Sequence, residues 1–298
     1  MDTNLIERLT DGIFSKALQV RRMIQRGSTE LMHLPLAEVV ALGNRVEGLL
    51  TAEQLAEGLS AVGRQRWHKP VVEMQLLDGY AKWAPDYDEE VNPLIALEEP
   101  AVLELAGDAA GKDVLDAACG TGRYAIPFAQ AGARVSGVDV SEDMLEVARQ
   151  NACNRTLSIN FRQGDLRQLP FPDASFDLAI CALALCHLPE LAGPVAELGR
   201  VLRPGGRLIV SDFHPFCLLI GWRTALHRAD ATYWIENHLH LTEDYVGALM
   251  ASGLRITDFR EVVVDERAIP ALSAEDVERY RGWPVALVIS ALKEGGSR

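Results

Sequence analysis

The chain has 298 residues, a formal net charge of −13 and 48% hydrophobic residues. This length and apolar content predict one large α/β domain with an appendage and a substantial core. The acidic balance, together with the lack of a Lys/Arg run or of interleaved basic and aromatic residues, disfavours nucleic acid as a partner. Small molecules therefore remain the favoured partner class.

The five cysteines show no C-x-x-C spacing, so we expect neither a disulfide framework nor a thiolate zinc site. The first residues lack the pattern of a signal peptide, and no segment has the length of a membrane span. These features predict a cytoplasmic protein without membrane association.

Residues 1–68 are predicted to form a helical extension, because apolar residues recur there at spacings of three and four. These helices could cover the mouth of an active site, form a homodimer contact or pack as a simple appendage. The sequence leaves these alternatives open. Residues 69–298 are predicted to form the second domain.

Aromatic residues gather early in this second domain, at Tyr80, Trp83 and Tyr87. Large rings can anchor the following helix, predicted from Leu94 to Leu105, against a sheet. The alternative is a place beside a bound ligand.

The segment from Val114 to Phe128, VLDAACGTGRYAIPF, predicts a strand, a glycine turn and a helix. Gly120 and Gly122 allow a tight turn and a close approach of ligand to backbone, which is typical of nucleotide binding. Asp116 precedes them at the end of the strand, where a carboxylate would repel a pyrophosphate and attract a cation. The turn therefore favours a positively charged nucleoside over a dinucleotide.

Further strands are predicted after this turn, alternating with helices in the manner of an open α/β sheet. The second strand, from Arg134 to Val138, ends at Asp139, whose carboxylate can accept both hydroxyls of a ribose. Ser141 is predicted to cap the next helix. The other predicted strands run from Ile159 to Gln163, Leu178 to Leu183, Arg207 to Ser211, Leu254 to Val264 and Pro284 to Leu292.

Five segments occur in the order that resembles the class I S-adenosylmethionine (SAM)-dependent methyltransferases, in their small-molecule, UbiE-like group. They are D-x-x-C-G-T-G at Asp116, V-D-V-S at Asp139, G-D-L at Asp165, S-F-D-L-A-I-C from Ser175 and L-R-P-G-G from Leu202. The resemblance runs from about Tyr80 to Lys293. In many relatives the segment before the first strand folds over the cofactor and helps to close the acceptor pocket, so the resemblance implies that Tyr80, Trp83 and Tyr87 are lid residues. It implies a Rossmann-like, seven-stranded, mostly parallel sheet with helices on both faces, and a cap segment at about residues 213–241.

The resemblance also implies SAM as the cofactor and a set of residues that bind it. In relatives, the residue at Met144 packs on the adenine, while Asp165 and the Leu166 N–H read its edge. The full set of expected cofactor-binding residues is Asp116, Ala118, Gly120, Gly122, Asp139, Val140, Met144, Asp165, Leu166 and Cys181.

Three polar residues follow neighbouring strands of the predicted sheet and are candidates for catalysis: His187, Asp212 and His214. A histidine can take a proton from an acceptor group near neutral pH, and an adjacent carboxylate can orient it. We expect His214, beside Asp212, to be the base and His187 to position the acceptor. The alternative for each histidine is a satisfied polar group in a loop.

The segment TYWIENHLHL places polar and aromatic residues at alternate positions. On a strand, Trp234, Glu236, His238 and His240 would share one face and line an acceptor pocket. A less favoured interpretation makes the histidines and Glu236 metal ligands, together with His214. The expected site contains no metal.

The sequence thus predicts an SAM-dependent methyltransferase for a small, aromatic metabolite of natural-product type. The acceptor atom would be oxygen, nitrogen or an electron-rich ring carbon. Two alternatives are a non-catalytic SAM-binding regulatory module and a metal-assisted methyltransferase.

Overall fold

The computed structural model describes residues 69–219, 222–269 and 271–295. The helical extension predicted for residues 1–68 lies outside these residues. Among the helices that the structure describes, none combines the length and the apolar character that crossing a membrane would need.

A seven-stranded sheet forms the centre of the described residues. Its strands are β2 Asp113–Ala117, β3 Arg134–Asp139, β4 Asn160–Gln163, β5 Phe176–Ala182, β6 Leu202–Phe213, β9 Leu254–Val263 and β10 Pro284–Lys293. Their order in the sheet is β4-β3-β2-β5-β6-β10-β9. The first five strands in this order are parallel, and β10 runs antiparallel to both β6 and β9. The predicted Rossmann-like, mostly parallel sheet is confirmed.

The central strands are apolar along their length because helices cover both faces of the sheet. In β5, Leu178 and Ile180 point into one core, while Ala179 and Cys181 point into the other. The helices are α1 Leu76–Trp83, α2 Pro93–Ala106, α3 Ala125–Gln130, α4 Glu142–Asn154, α5 Ala192–Val201, α6 Pro215–Leu219, α7 Thr242–Ala251 and α8 Ala274–Tyr280. Helices α2 and α3 contribute to the first core, and α5 and α7 to the second.

Short polar side chains cap the N-termini of several helices. Each accepts a hydrogen bond from a backbone N–H that has no partner within its helix. The Ser141 hydroxyl accepts from the Met144 N–H at 3.3 Å, as the sequence predicts. The Asn92 side chain accepts from the Leu94 N–H at 2.9 Å, with Pro93 in the first turn. Helix α2 thereby begins close to the carboxyl edge of the sheet.

A second, three-stranded sheet joins two segments far apart in the chain, in the order β1-β8-β7. Strand β1 (Val71–Met74) pairs in parallel with β8 (Thr232–Ile235), which pairs antiparallel with β7 (Ala225–His227). Trp83 of α1 packs with Leu226 and Ile235 in its small core. We call this sheet together with α1 the cap.

The expectation that Trp234, Glu236, His238 and His240 lie on one strand is wrong, because the strand that contains Trp234 ends at Ile235. Beyond that residue the Asn237 side chain accepts the Thr224 N–H at 2.8 Å, and the His238 N–H donates to the Cys186 carbonyl instead of to a neighbouring strand. Glu236, His238 and His240 therefore lie on irregular backbone and do not share a strand face with Trp234.

Candidate functional site

A cavity of about 860 Å³ runs along the carboxyl ends of the parallel strands and beneath the cap. Asp116, Asp139 and Asp165, at the ends of β2, β3 and β4, line what we call the acidic half. Leu183, Phe213 and Val285, at β5, β6 and β10, line what we call the apolar half. Tyr80, Trp83 and Tyr87 line the cavity from the cap side, as expected of lid candidates.

The glycine turn after β2 forms the floor of the acidic half. Ala118, Gly120 and Gly122 have φ of 59°, 52° and 88°, so three residues of this turn lie in the left-handed region. A Cβ on Gly120 would meet no atom within 4 Å, whereas one on Gly122 would approach Ile126 at 3.3 Å. Gly120 thus leaves space for a ligand at the cavity wall, and Gly122 serves the packing of the turn.

Asp139 is held with both carboxylate oxygens fixed. The Gly120 N–H donates to Oδ2 at 2.8 Å, and the Ser141 N–H donates to Oδ1 at 2.9 Å. Burial raises the pKa of this carboxyl, although these N–H donors counteract the effect. A fixed carboxylate at the cavity wall is suited to accept two neighbouring hydroxyls of a ligand.

Asp116 is only 2% exposed, and its Oδ2 accepts the Ala125 N–H at 2.8 Å. Burial raises its pKa to about 7, so a neighbouring cation on a ligand would favour the ionised form. Among the described residues, the hydrogen bonds to the carboxylates of Asp116 and Asp139 come from backbone N–H groups. The acidic half is therefore suited to a cationic ligand and unsuited to a pyrophosphate.

A buried ion pair that no motif in the sequence indicates lies at this end of the cavity. Glu98 is fully buried and accepts from Arg123 Nη1 at 2.9 Å, from the Tyr124 hydroxyl at 2.8 Å and from the Ser211 hydroxyl. The Arg123 side chain lines the cavity, but Glu98 balances its charge. The available signal was the position of Glu98 beside Leu94, Leu97 and Val102 on the apolar face of α2.

Asp165 lines the cavity while both of its oxygens accept from Arg167. This guanidinium lowers the pKa of the Asp165 carboxyl. Val140, Met144 and Leu166, which are among the residues expected to bind the cofactor, also line the acidic half. Any amino group of a ligand that binds Asp165 would share an oxygen with Arg167.

His187 lies in a short 3₁₀ turn after β5, the strand of the apolar half that neighbours β2. Its Nδ1 lies 2.6 Å from the Glu236 carbonyl oxygen, which can only accept, so Nδ1 carries the proton. Nε2 is then free to accept from the Tyr80 hydroxyl at 2.9 Å. The side chain lines the cavity, and its burial lowers the pKa of His187 to about 4, so the ring is neutral at pH 7.

Asp212 and His214, which the sequence pairs, do not line the cavity and have separate partners. The buried Asp212 carboxylate accepts the Cys186 N–H at 2.7 Å and the Tyr245 hydroxyl at 3.0 Å. It thereby fixes the loop that carries His187. His214 Nε2 lies 3.2 Å from Glu261 on β9, and Phe213 is the residue of this strand end that lines the cavity.

The remaining site candidates also lie away from the cavity lining. His240 Nε2 donates to the Leu188 carbonyl at 2.8 Å, and His238 Nε2 lies 3.4 Å from Glu236. Trp234 is buried in the cap, and Cys181 is buried within β5. Within the part of the chain that the structure describes, no three His, Cys, Asp or Glu side chains are grouped so that they could hold a metal ion.

The fold and the site match one class of proteins. Proteins of this class have a Rossmann-like sheet with carboxylates at its carboxyl edge, and they bind a cationic nucleoside next to a second molecule. Comparison with known proteins identifies the family within this class. A family model described as a methyltransferase domain matches residues 115–210. Methyltransferase GfsG of Streptomyces halstedii is 32% identical over 189 residues, which cover 61% of this chain and 67% of that protein.

A demethylmenaquinone methyltransferase of Tropheryma whipplei is 42% identical over 118 residues, 39% of this chain and 48% of the relative. The chain thus spans about half the length of this curated relative. The crystal structure of an SAM-dependent methyltransferase from Mesorhizobium loti matches with a TM-score of 0.55 and 25% identity, over 67% of this chain and all of that one. The [4+2]-cyclase SpnF matches in fold, with a TM-score of 0.56 and 21% identity over 77% of this chain and all of that one.

The chain belongs to the class I SAM-dependent methyltransferases, and SAM is the cofactor of this family. The residues present fit this cofactor, because the acidic half offers carboxylates to a cation and a diol.

Proposed function

We propose that the protein transfers the methyl group of SAM to an oxygen, nitrogen or electron-rich ring carbon of a small aromatic metabolite. The observation that carries this proposal is one continuous cavity that joins the acidic half to the apolar half. His187, in the turn after β5 next to β2, and Tyr80 of α1 both line it and are joined by a hydrogen bond. Cofactor and acceptor would therefore lie side by side.

The acidic half would hold the cofactor through groups that are already oriented. Asp139 would accept the ribose hydroxyls, and Asp116 would lie near the positively charged methionyl part. Met144 and Leu166 would contact the adenine, and Asp165 would accept its amino group with an oxygen shared with Arg167. The bound cofactor supplies an electrophilic methyl group on a sulfonium.

The chain's own contribution to the rate would come mainly from alignment of the acceptor. Holding two reactants in line can supply on the order of 7–11 kcal/mol. His187 is a weak base, since burial lowers its pKa to about 4. We therefore propose that His187 orients the Tyr80 hydroxyl, which donates to His187 Nε2, and that the Tyr80 oxygen accepts a hydrogen bond from the acceptor group. The proton of an O–H or N–H acceptor would then pass to solvent and not to His187.

The proposal of an aromatic acceptor is supported by the side chains that line the cavity. Tyr80, Trp83 and Tyr87 form a cluster with ring centroids 4.9–6.4 Å apart on the cap side. Aromatic rings favour offset or edge-to-face contacts with other rings. The relative from Tropheryma whipplei is named for demethylmenaquinone, which supports a small-molecule acceptor here.

The first test is cofactor choice, measured by calorimetry with SAM, its demethylated product and NAD. The proposal predicts binding of the first two and no comparable binding of NAD; tight NAD binding without SAM binding would contradict it. Phenols, indoles and amines would then be incubated with SAM and screened for a mass gain of one methyl group. SAM binding without methylation of any acceptor would favour the non-catalytic module, and loss of turnover with a chelator would favour metal assistance.

A further inference from the structure

The apolar half of the cavity extends past the position where a cofactor and a small acceptor group would meet. Leu183, Phe213 and Val285 lie at three successive strands, β5, β6 and β10, on the side of the sheet away from Asp139. Neighbouring strands are about 4.8 Å apart, so the two steps from β5 to β10 span about 10 Å. This space is longer than one six-membered ring.

The outer wall of this region comes from two segments outside the sheet. Trp222 follows α6, and Leu272 and Tyr280 belong to the connection between β9 and β10; all three line the cavity. The Trp222 and Tyr280 rings meet edge to face, with centroids 5.9 Å apart. Because Tyr280 also packs on Trp283 at 5.0 Å, this wall is supported from behind.

The segment that carries Tyr280 is anchored at both ends. The Ser273 hydroxyl caps α8 by accepting the Asp276 N–H at 3.0 Å. After the helix, the Gly282 N–H donates to the Val264 carbonyl at 2.9 Å, and the Val264 N–H donates to the Trp283 carbonyl at 2.9 Å. The wall is therefore preformed rather than assembled around a ligand.

We propose that this region is a separate acceptor subsite, which we call the ring lobe and define by Leu183, Phe213, Trp222, Leu272, Tyr280 and Val285. It would bind the fused-ring or polycyclic part of the acceptor that is remote from the methylated atom. All six side chains are uncharged, and half of them are aromatic. The inference rests on the proposed function and adds that acceptors with two or more rings are selected over single rings.

The test uses 2-naphthol as the probe, a neutral two-ring alcohol whose own fluorescence reports binding. Affinity is measured on the full chain saturated with S-adenosylhomocysteine, for wild type, Tyr280→Ala and Leu272→Trp. Leu272→Trp fills the lobe and removes no support from it, so it remains informative if Tyr280→Ala is unstable. Phe259→Ala is the matched control, because Phe259 is an exposed aromatic residue on β9 outside the cavity lining.

We expect both lobe variants to weaken 2-naphthol binding by about tenfold or more, the loss expected for a ring contact and its burial, with the control unchanged. Phenol affinity should change by less than about twofold in all variants, since a single ring does not reach the lobe. Failure of wild type to bind 2-naphthol more tightly than phenol, or equal affinity in Leu272→Trp, would overturn the ring lobe. Failure to bind S-adenosylhomocysteine would instead overturn the proposed function.

Discussion

The pH dependence of cofactor affinity follows from the environment of Asp116. Burial raises the pKa of this carboxyl to about 7 in the free protein. A cationic ligand binds the ionised form better, so binding must release the proton wherever Asp116 is protonated beforehand. SAM affinity should therefore rise with pH up to about 7 and then level off.

The magnitude follows from the fraction of Asp116 that is ionised. With a pKa of about 7, this fraction is about one eleventh at pH 6.0 and about three quarters at pH 7.5. The dissociation constant for SAM should then fall about eightfold over this interval, equivalent to about 1.2 kcal/mol. The range ends at pH 7.5 because an α-amino group loses its proton near pH 7.7–8.0.

Calorimetry in buffers of different ionisation enthalpy measures both the affinity and the protons released. At pH 6.0 the wild type should release close to one proton on binding SAM, whereas Asp116→Asn should lose most of this release and of the pH slope. Asp139 also has a raised pKa, so a small slope in the variant is expected. A wild-type dissociation constant that is the same at both pH values, without proton release, would refute this reasoning.

Four other predictions concern the roles of separate parts of the chain. Asp139→Ala should weaken SAM binding by about 1.5–3 kcal/mol in calorimetry, the scale of a charge-assisted hydrogen bond, and an unchanged value would place the ribose elsewhere. His187→Ala should lower kcat about tenfold without changing SAM affinity, and the wild-type kcat at saturating SAM should stay flat from about pH 6 to 8 because the ring is already neutral. His214→Ala should leave kcat within about twofold, since His214 does not line the cavity. Deleting residues 1–68 should preserve SAM affinity and abolish turnover if the extension closes the acceptor pocket; loss of folded protein would indicate packing instead.

Local patterns explain why the sheet, and the positions of Asp116, Gly120 and Asp139 at its carboxyl edge, could be predicted from the sequence. A strand end, a glycine turn and a helix start are encoded within a few residues, as at Asp116 and Gly120. The position of Asp139 is similarly local, because Asp139 is the last residue of its strand, β3. In an open α/β sheet such residues meet at the carboxyl edge whatever the rest of the chain does.

The acceptor side could not be predicted in the same way, because residues distant in the chain form it. Tyr80 and His187 are 107 residues apart, and no local spacing indicates their hydrogen bond. The direction of the His214 side chain could not be predicted either, because the polarity of a residue near a strand end does not determine which way its side chain points. Asp212 turns to Tyr245 and Cys186, so apolar Phe213 reaches the cavity instead of His214.

The prediction for TYWIENHLHL failed for a related reason. Alternation indicates a strand only while neighbouring backbone continues to pair, and β1 ends opposite Ile235. This segment contacts the site through its backbone, since the Glu236 carbonyl accepts a hydrogen bond from the His187 ring. A side-chain pattern carries no information about such a contact.

Transfer of an isotopically labelled methyl group tests the central claim most directly. The full chain would be incubated with SAM that carries a deuterated methyl group and with hydroxylated and aminated two-ring acceptors, and mass spectrometry would follow both products. The account predicts that one acceptor gains the labelled methyl group in step with an equal amount of S-adenosylhomocysteine, and that Asp139→Ala lowers both. Bound SAM that transfers no label to any acceptor, with no S-adenosylhomocysteine formed above a heat-inactivated control, would contradict it.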